Sequence, residues 1–263
     1  EMDVTLYPRE ELGKELIASY VDTHRFGMRQ QDLDEAGWTL EPPTVQTLMS
    51  KLRTNGVPLA EFADLKPYRG VLTGFNEAFL VDQATKDALC REHPSSALLL
   101  KKYLRGQDVG RWCPEWKQSW MIFARRGVDI AQFPAIRAHL ERYREQLEPR
   151  PTEYTGKSWP GRKPGNYRWF EIQDSVDYFE MFERPKIFYQ EIQFHPQYAL
   201  DTSGLYSNNK AFFLPSDDSW LVAALNSPAM WWHNWRYLVH MKDEALSPAG
   251  VKMVHVPIPR PTE

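Results

Sequence analysis

The chain has 263 residues, enough for one large domain or two small ones, and 42% of them are hydrophobic, an ordinary share for a globular protein. A formal net charge of −3 provides no overall basic field, so any contact with nucleic acid must rest on how charge is distributed. Two cysteines, Cys90 and Cys113, form neither a metal pattern nor a disulfide framework, and no apolar run approaches the roughly 18 residues of a membrane span, so the expected setting is the cytoplasm, without membrane contact.

Residues 1–64 are expected to form a helical connector. Leu12, Leu16, Ile17 and Tyr20 fall close to one helical face, and Val45, Leu48, Met49 and Leu52 fall on another. Asn55-Gly56 is the expected end of that second helix. Residues 30–43 between them are loop-like and hold the step Gly37-Trp38-Thr39-Leu40. The opening Glu1-Met2-Asp3-Val4 enters an amphipathic stretch with no Met in first place, and the expectation is a piece of a longer protein.

From residue 65 to 263 the character changes. Strand-like runs fall at 70–72, 78–81, 119–124, 186–192, 198–200 and 211–214. Helical patterns fall at 83–91, 96–103, 134–147, 218–225 and 228–239, with Pro134 and Pro228 suited to first turns. Strands and helices mix without strict alternation, so the expected class is α+β, a mixed-sheet domain behind the helical connector. Within residues 68–82 a Thr73-Gly74-Phe75-Asn76 turn between two strand-like runs predicts a hairpin, with Gly74 at positive φ and Asn76 bonding its own backbone. Gln190 and Glu191, within a strand pattern, are expected to make core bonds.

The one long irregular segment is 148–170. It carries Arg150, Lys157, Arg162, Lys163 and Arg168 against the single acid Glu153, interleaved with Tyr154, Trp159, Tyr167, Trp169 and Phe170. Cations of this kind neutralise phosphates, and aromatic rings stack on or wedge against bases. The competing account is a solvated loop anchored on the core by Trp159. A second basic cluster comprises Lys101, Lys102, Arg105 and Arg111, continued by Lys117, Arg125 and Arg126. Here Arg105 either stands at a phosphate or braces a turn by pairing with Asp108. The helix pattern Met230-Trp231-Trp232-His233-Asn234-Trp235-Arg236 is apolar on most sides and is expected to be core or an interface.

Several motifs recur in a definite order. Phe26-Gly27-Met28-Arg29-Gln30 comes first, then the 68–82 segment and Leu104-Arg105-Gly106-Gln107-Asp108-Val109-Gly110-Arg111-Trp112. Pro134-Ala135-Ile136-Arg137, Trp159-Pro160-Gly161-Arg162-Lys163-Pro164-Gly165, Lys186-Ile187-Phe188-Tyr189-Gln190-Glu191-Ile192, Leu225-Asn226-Ser227 and Val256-Pro257-Ile258-Pro259 follow. The set resembles the target-recognition region of adenine-specific DNA methyltransferases, the TaqI-like C-terminal specificity domain of type IIG restriction-modification enzymes and related phage-defence methylases. Trp112-Cys113-Pro114 departs from the more polar continuation of that pattern.

The resemblance implies a domain that holds double-stranded DNA and performs no catalysis itself. Taken with it, the basic and aromatic residues Arg150, Lys157, Trp159, Arg162, Lys163, Tyr167, Arg168, Lys101, Lys102, Arg105 and Arg111 are the expected DNA contacts. The resemblance also implies an N-terminal methyltransferase domain in the same parent chain, with S-adenosylmethionine as that domain's cofactor. An amine-binding Asn/Asp-Pro-Pro-Tyr/Phe motif is absent; Glu41-Pro42-Pro43-Thr44 has the wrong first and last residues. No Gly-x-Gly occurs, no His-x-x-x-His pair suggests a metal, and Asp108 with Glu115-Trp116-Lys117 only faintly follows a magnesium-nuclease pattern. No catalytic, metal or cofactor residue is therefore expected in this chain. The reading from another class is a protein-interaction module that docks a partner through its Trp-rich surface without DNA.

Overall fold

The computed structural model describes residues 1–8, 11–33, 40–62 and 66–261. They divide into two units, Glu1–Val57 and Pro58–Pro261. In the first, strand Met2–Val4 pairs antiparallel with Phe26–Met28, and helices Ile17–His24 and Pro43–Asn55 complete the unit. The first helix starts later than its apolar spacing predicts. Leu12, Leu16 and Ile17 are exposed, and Tyr20 alone of that set is buried, stacked on His24. The second helix ends at Asn55 as expected, although Gly56 is extended rather than left-handed. The step Gly37-Trp38-Thr39 lies outside the described residues, as do residues 63–65 around the expected boundary.

The second unit is α+β and is built on two four-stranded sheets. One runs Tyr206–Ser207, Leu100–Leu104, Ser119–Ile122, Leu80–Val81, with the first pair parallel and the others antiparallel. The other runs Tyr68–Arg69, Ala211–Leu214, Lys186–Gln190, Tyr198–Asp201, all antiparallel. The centre of strand Lys186–Gln190, Ile187-Phe188-Tyr189, is apolar on both faces because both are covered. Phe188 enters a core shared with the first sheet and helix Pro134–Glu141. Ile187 and Tyr189 enter a second core beneath helices Ser219–Leu225 and Pro228–Tyr237. Successive strand residues face opposite sides, so two cores demand an uninterrupted apolar run.

Residues 68–82 do not form the expected hairpin. Tyr68–Arg69 joins one sheet and Leu80–Val81 the other, with helix Asn76–Phe79 between. The segment is a crossover that ties the sheets together. Gly74 does take positive φ, +86°. Asn76 accepts from the Thr73 hydroxyl at 2.8 Å rather than bonding its own backbone. The 96–103 pattern also differs: one helical turn, Ser96–Leu99, gives way to strand Leu100–Leu104.

Candidate nucleic-acid interface

The loop between helix Arg144–Leu147 and helical turn Phe179–Phe182 is organised around Arg162. The residue is 4% exposed, and all five N–H donors of its guanidinium are used on backbone carbonyls. Nε donates to Leu147 O at 2.8 Å, one terminal nitrogen to Thr73 O and Glu171 O at 2.9 and 2.7 Å, and the other to Arg168 O and Trp169 O at 3.2 and 2.9 Å. Burial pulls its pKa down to about 10, which leaves it charged at neutral pH. The backbone of 148–150 runs beside Arg162, with Arg162 N–H donating to Glu148 O and Arg150 N–H to Arg162 O, both at 3.0 Å. Gly161 is required at this close approach, since a Cβ there would collide with Glu148 O and lie 2.7 Å from the Trp159 indole nitrogen.

Arg162 is therefore not the expected DNA contact. It is an internal brace that gathers three stretches of backbone, at Thr73, at Leu147 and at 168–171. Tyr167, also expected at DNA, is buried instead: the residue is 8% exposed, its ring centre lies 4.4 Å from the Arg162 guanidinium, and its hydroxyl donates to Lys163 O. Trp159 is half-buried, donates to Glu148 O at 3.0 Å and packs edge-on against Tyr154.

Four of the loop's cations stand at the surface. Arg150, Lys157, Lys163 and Arg168 are exposed and, among the described residues, have no ion-pair partner. Arg150 and Lys163 come together with Trp159, Gly161 and Pro164 around an open cavity of about 340 Å³. Lys157 and Arg168 do not line it.

The second basic cluster is contiguous in sequence and divided in space. Lys101 and Lys102 are neighbours on one strand and so face opposite ways. Lys101 pairs with Glu183 at 2.8 Å, whereas Lys102 lies over the Trp116 ring. Arg105 is chelated by Asp108 at 2.8 and 3.3 Å, which resolves its two accounts in favour of the turn brace. Arg111 uses Nε and a terminal nitrogen on Pro196 O. Gln190 donates to Val109 O, and Glu191 pairs with Lys210. Trp112 is exposed at φ +81°, its backbone held to Tyr198 O and Leu200 N.

Helix Pro228–Tyr237 buries Met230, His233 and Asn234 and leaves Trp231, Trp232 and Trp235 half-buried. Among the described residues, no three His, Cys, Asp or Glu side chains gather as a metal site requires, and no helix is long and apolar enough to cross a membrane. Cys90 is half-buried and Cys113 exposed, both as free thiols.

A family model described as the TaqI-like C-terminal specificity domain matches residues 101–258. No curated protein matches the chain. Among solved structures, it is similar to the type IIL restriction-modification enzyme MmeI in complex with DNA. That likeness has 14% identity and a TM-score of 0.47, covering 72% of this chain and 24% of that one. It is also similar to the type IIG restriction endonuclease BpuSI, with 11% identity and a TM-score of 0.45, covering 82% of this chain and 26% of that one. The chain thus spans about a quarter of the length of either enzyme.

Proposed function

The chain belongs to the TaqI-like C-terminal specificity domain family, and from that membership we propose that it is a DNA target-recognition domain that holds duplex DNA for chemistry performed elsewhere. The observation that carries this reading is the loop braced by Arg162. It is rigid at its root and presents exposed Arg150, Lys157, Lys163 and Arg168 without carboxylate partners among the described residues. Fixed cations of this kind set register along a phosphate backbone, and a few further side chains then distinguish bases. Leaving Arg and Lys unpaired at the end of an ordered loop stabilises nothing in the domain alone. Phosphates supply the missing partners.

In the finer form of the proposal, the reaction served is adenine methylation in a restriction-modification or phage-defence enzyme of the cytoplasm. The catalytic domain would precede this segment in the parent chain and carry S-adenosylmethionine. The basis is the ordered motif set together with the absence of Asn/Asp-Pro-Pro-Tyr/Phe and Gly-x-Gly from this sequence.

Fluorescence anisotropy with a labelled duplex tests the reading. Wild type should bind with affinity that falls steeply with salt. Arg150→Ala combined with Lys163→Ala should flatten the log–log salt slope by up to about 0.9 per lost phosphate contact. An unchanged slope in a variant of unchanged stability would reduce the loop to a structural element. It would favour partner docking through the half-buried tryptophans of Pro228–Tyr237.

A further inference from the structure

A second cavity, of about 300 Å³, opens beside the first sheet and is lined by Lys101, Arg125, Arg126, Phe179, Glu183 and Tyr206, with Leu98 and Gly127 among the other lining residues. Its charges are unequal: three cations, Lys101, Arg125 and Arg126, meet one carboxylate, Glu183. That carboxylate is already engaged, accepting from Lys101 Nζ at 2.8 Å and from the Tyr206 hydroxyl at 2.7 Å. Arg126 is directed onto the carbonyls of Ile172 and Gln173. Asp129, the acid nearest in sequence, accepts from the Ala131 backbone and the Gln132 side chain.

Arg125 differs from its neighbours. It is exposed, and its guanidinium lies 4.1 Å from the centre of the Phe179 ring. That contact positions the group and satisfies none of its N–H donors. Among the described residues its side chain has no hydrogen bond and no ion pair; only its backbone carbonyl is engaged, by Val128 N–H. An arginine held on an aromatic face, with its donor fork unused and an excess of positive charge around it, is suited to an oxyanion presenting two acceptor oxygens. Leu98, 71% exposed, adds apolar surface that a deoxyribose can cover and an inorganic ion cannot.

We propose that this cavity seats a backbone phosphodiester of duplex DNA, with Arg125 donating to its non-bridging oxygens and Leu98 against the adjoining sugar. The inference rests on the DNA-recognition reading and extends it to a contact outside the 148–170 loop.

The test uses the full chain, a fluorescent duplex of about 24 base pairs, and wild type alongside Arg125→Ala and Arg125→Lys. Thermal unfolding confirms that each variant is folded. Arg125→Ala should reduce the salt slope by about 0.9, so that the affinity lost between 50 and 200 mM salt is about 3.5-fold smaller than for wild type. Arg125→Lys should keep the slope and lose affinity, because lysine supplies charge without the fork. A parallel thermal-shift titration with inorganic pyrophosphate separates the two anion sources. Stabilisation of wild type that is lost in Arg125→Ala, with duplex binding unaffected, would make this a free-anion site and overturn the proposal. Duplex binding whose slope is the same in wild type and Arg125→Ala would also overturn it, leaving the function intact. If wild type binds no duplex, the functional reading fails and this assignment fails with it.

Discussion

At the scale of single residues, Arg162 and Gly74 show how one position can be misassigned by chemistry and correctly identified by conformation. Arginine in a basic, aromatic loop has the composition of a phosphate contact, yet five carbonyls within hydrogen-bonding reach make it an interior strut. Gly74 belongs to the same assembly. At φ +86° an added Cβ would stand 2.7 Å from both the Arg162 Cδ and the Gln173 amide oxygen. Gly74→Ala should therefore cost roughly 2 kcal/mol or more, from left-handed strain and displacement of the brace together. Arg162→Ala should cost about 3 kcal/mol or more, because it leaves five carbonyls without their donor at roughly 1–3 kcal/mol for each that water cannot reach. Arg162→Lys should recover only part of that, because an ammonium has three donors for five acceptors. Urea unfolding measures all three. If Arg162→Ala stays within 1 kcal/mol of wild type while its DNA salt slope flattens, the guanidinium is a phosphate contact after all.

At the scale of elements, local pattern succeeded where packing agreed with it. The run Lys186 to Gln190 was legible as a strand because of its apolar, β-prone centre Ile187-Phe188-Tyr189, and Pro228 and Pro134 marked helix starts because proline at a first turn forgoes only an N–H with no helical partner. The 96–103 segment was not legible: its leucines fit a helix, but pairing of Leu100 with Ile122 and Tyr103 with Ser119 draws it into a sheet. The 68–82 segment was misread because two short strands around a glycine look the same whether they pair with each other or with different sheets. Of the site, the loop and its exposed cations were visible in sequence. The pairing of Arg105 with Asp108 was one of the two accounts open in the sequence, because the partner is three residues away, whereas the diversion of Arg111 and Arg162 into bracing was not visible, since their acceptors are distant carbonyls. Cross-strand partners Lys186 and Asp201 form an ion pair of 2.7 Å at 0% and 1% side-chain exposure. Burial pushes the Asp201 carboxyl up, but the Lys186 ammonium and the Ser203 donors outweigh it and hold it below the usual carboxylate range. Below about pH 4, the unfolded chain accordingly takes up the proton first, so stability present above that pH is lost as pH falls. Asp201→Asn should destabilise the fold by roughly 3–5 kcal/mol at neutral pH by leaving the lysine unpaired, and should remove this part of the acid dependence. Unfolding curves from pH 3 to 7 check it; equal acid sensitivity in the variant would assign that dependence to other carboxylates.

At the scale of the whole molecule, a chain of net charge −3 can still meet a polyanion, because Arg125, Arg150, Lys157, Lys163 and Arg168 have side chains that stand without carboxylate partners among the described residues. The same arrangement bears on which small molecules the chain holds. S-adenosylmethionine carries a sulfonium and an ammonium. Both cavities around which cations gather, one with Arg150 and Lys163 and the other with Lys101, Arg125 and Arg126, oppose that positive charge. The glycine-rich turn that would approach its adenosine and carboxylate closely is missing from the sequence, in which no Gly-x-Gly occurs. Calorimetric titration of the chain with S-adenosylmethionine should therefore give no binding heat, and incubation with duplex should transfer no methyl group, while the same preparation binds duplex in a salt-dependent manner. Micromolar cofactor binding would place a catalytic pocket in this chain and overturn its assignment as a recognition module that depends on a separate catalytic domain.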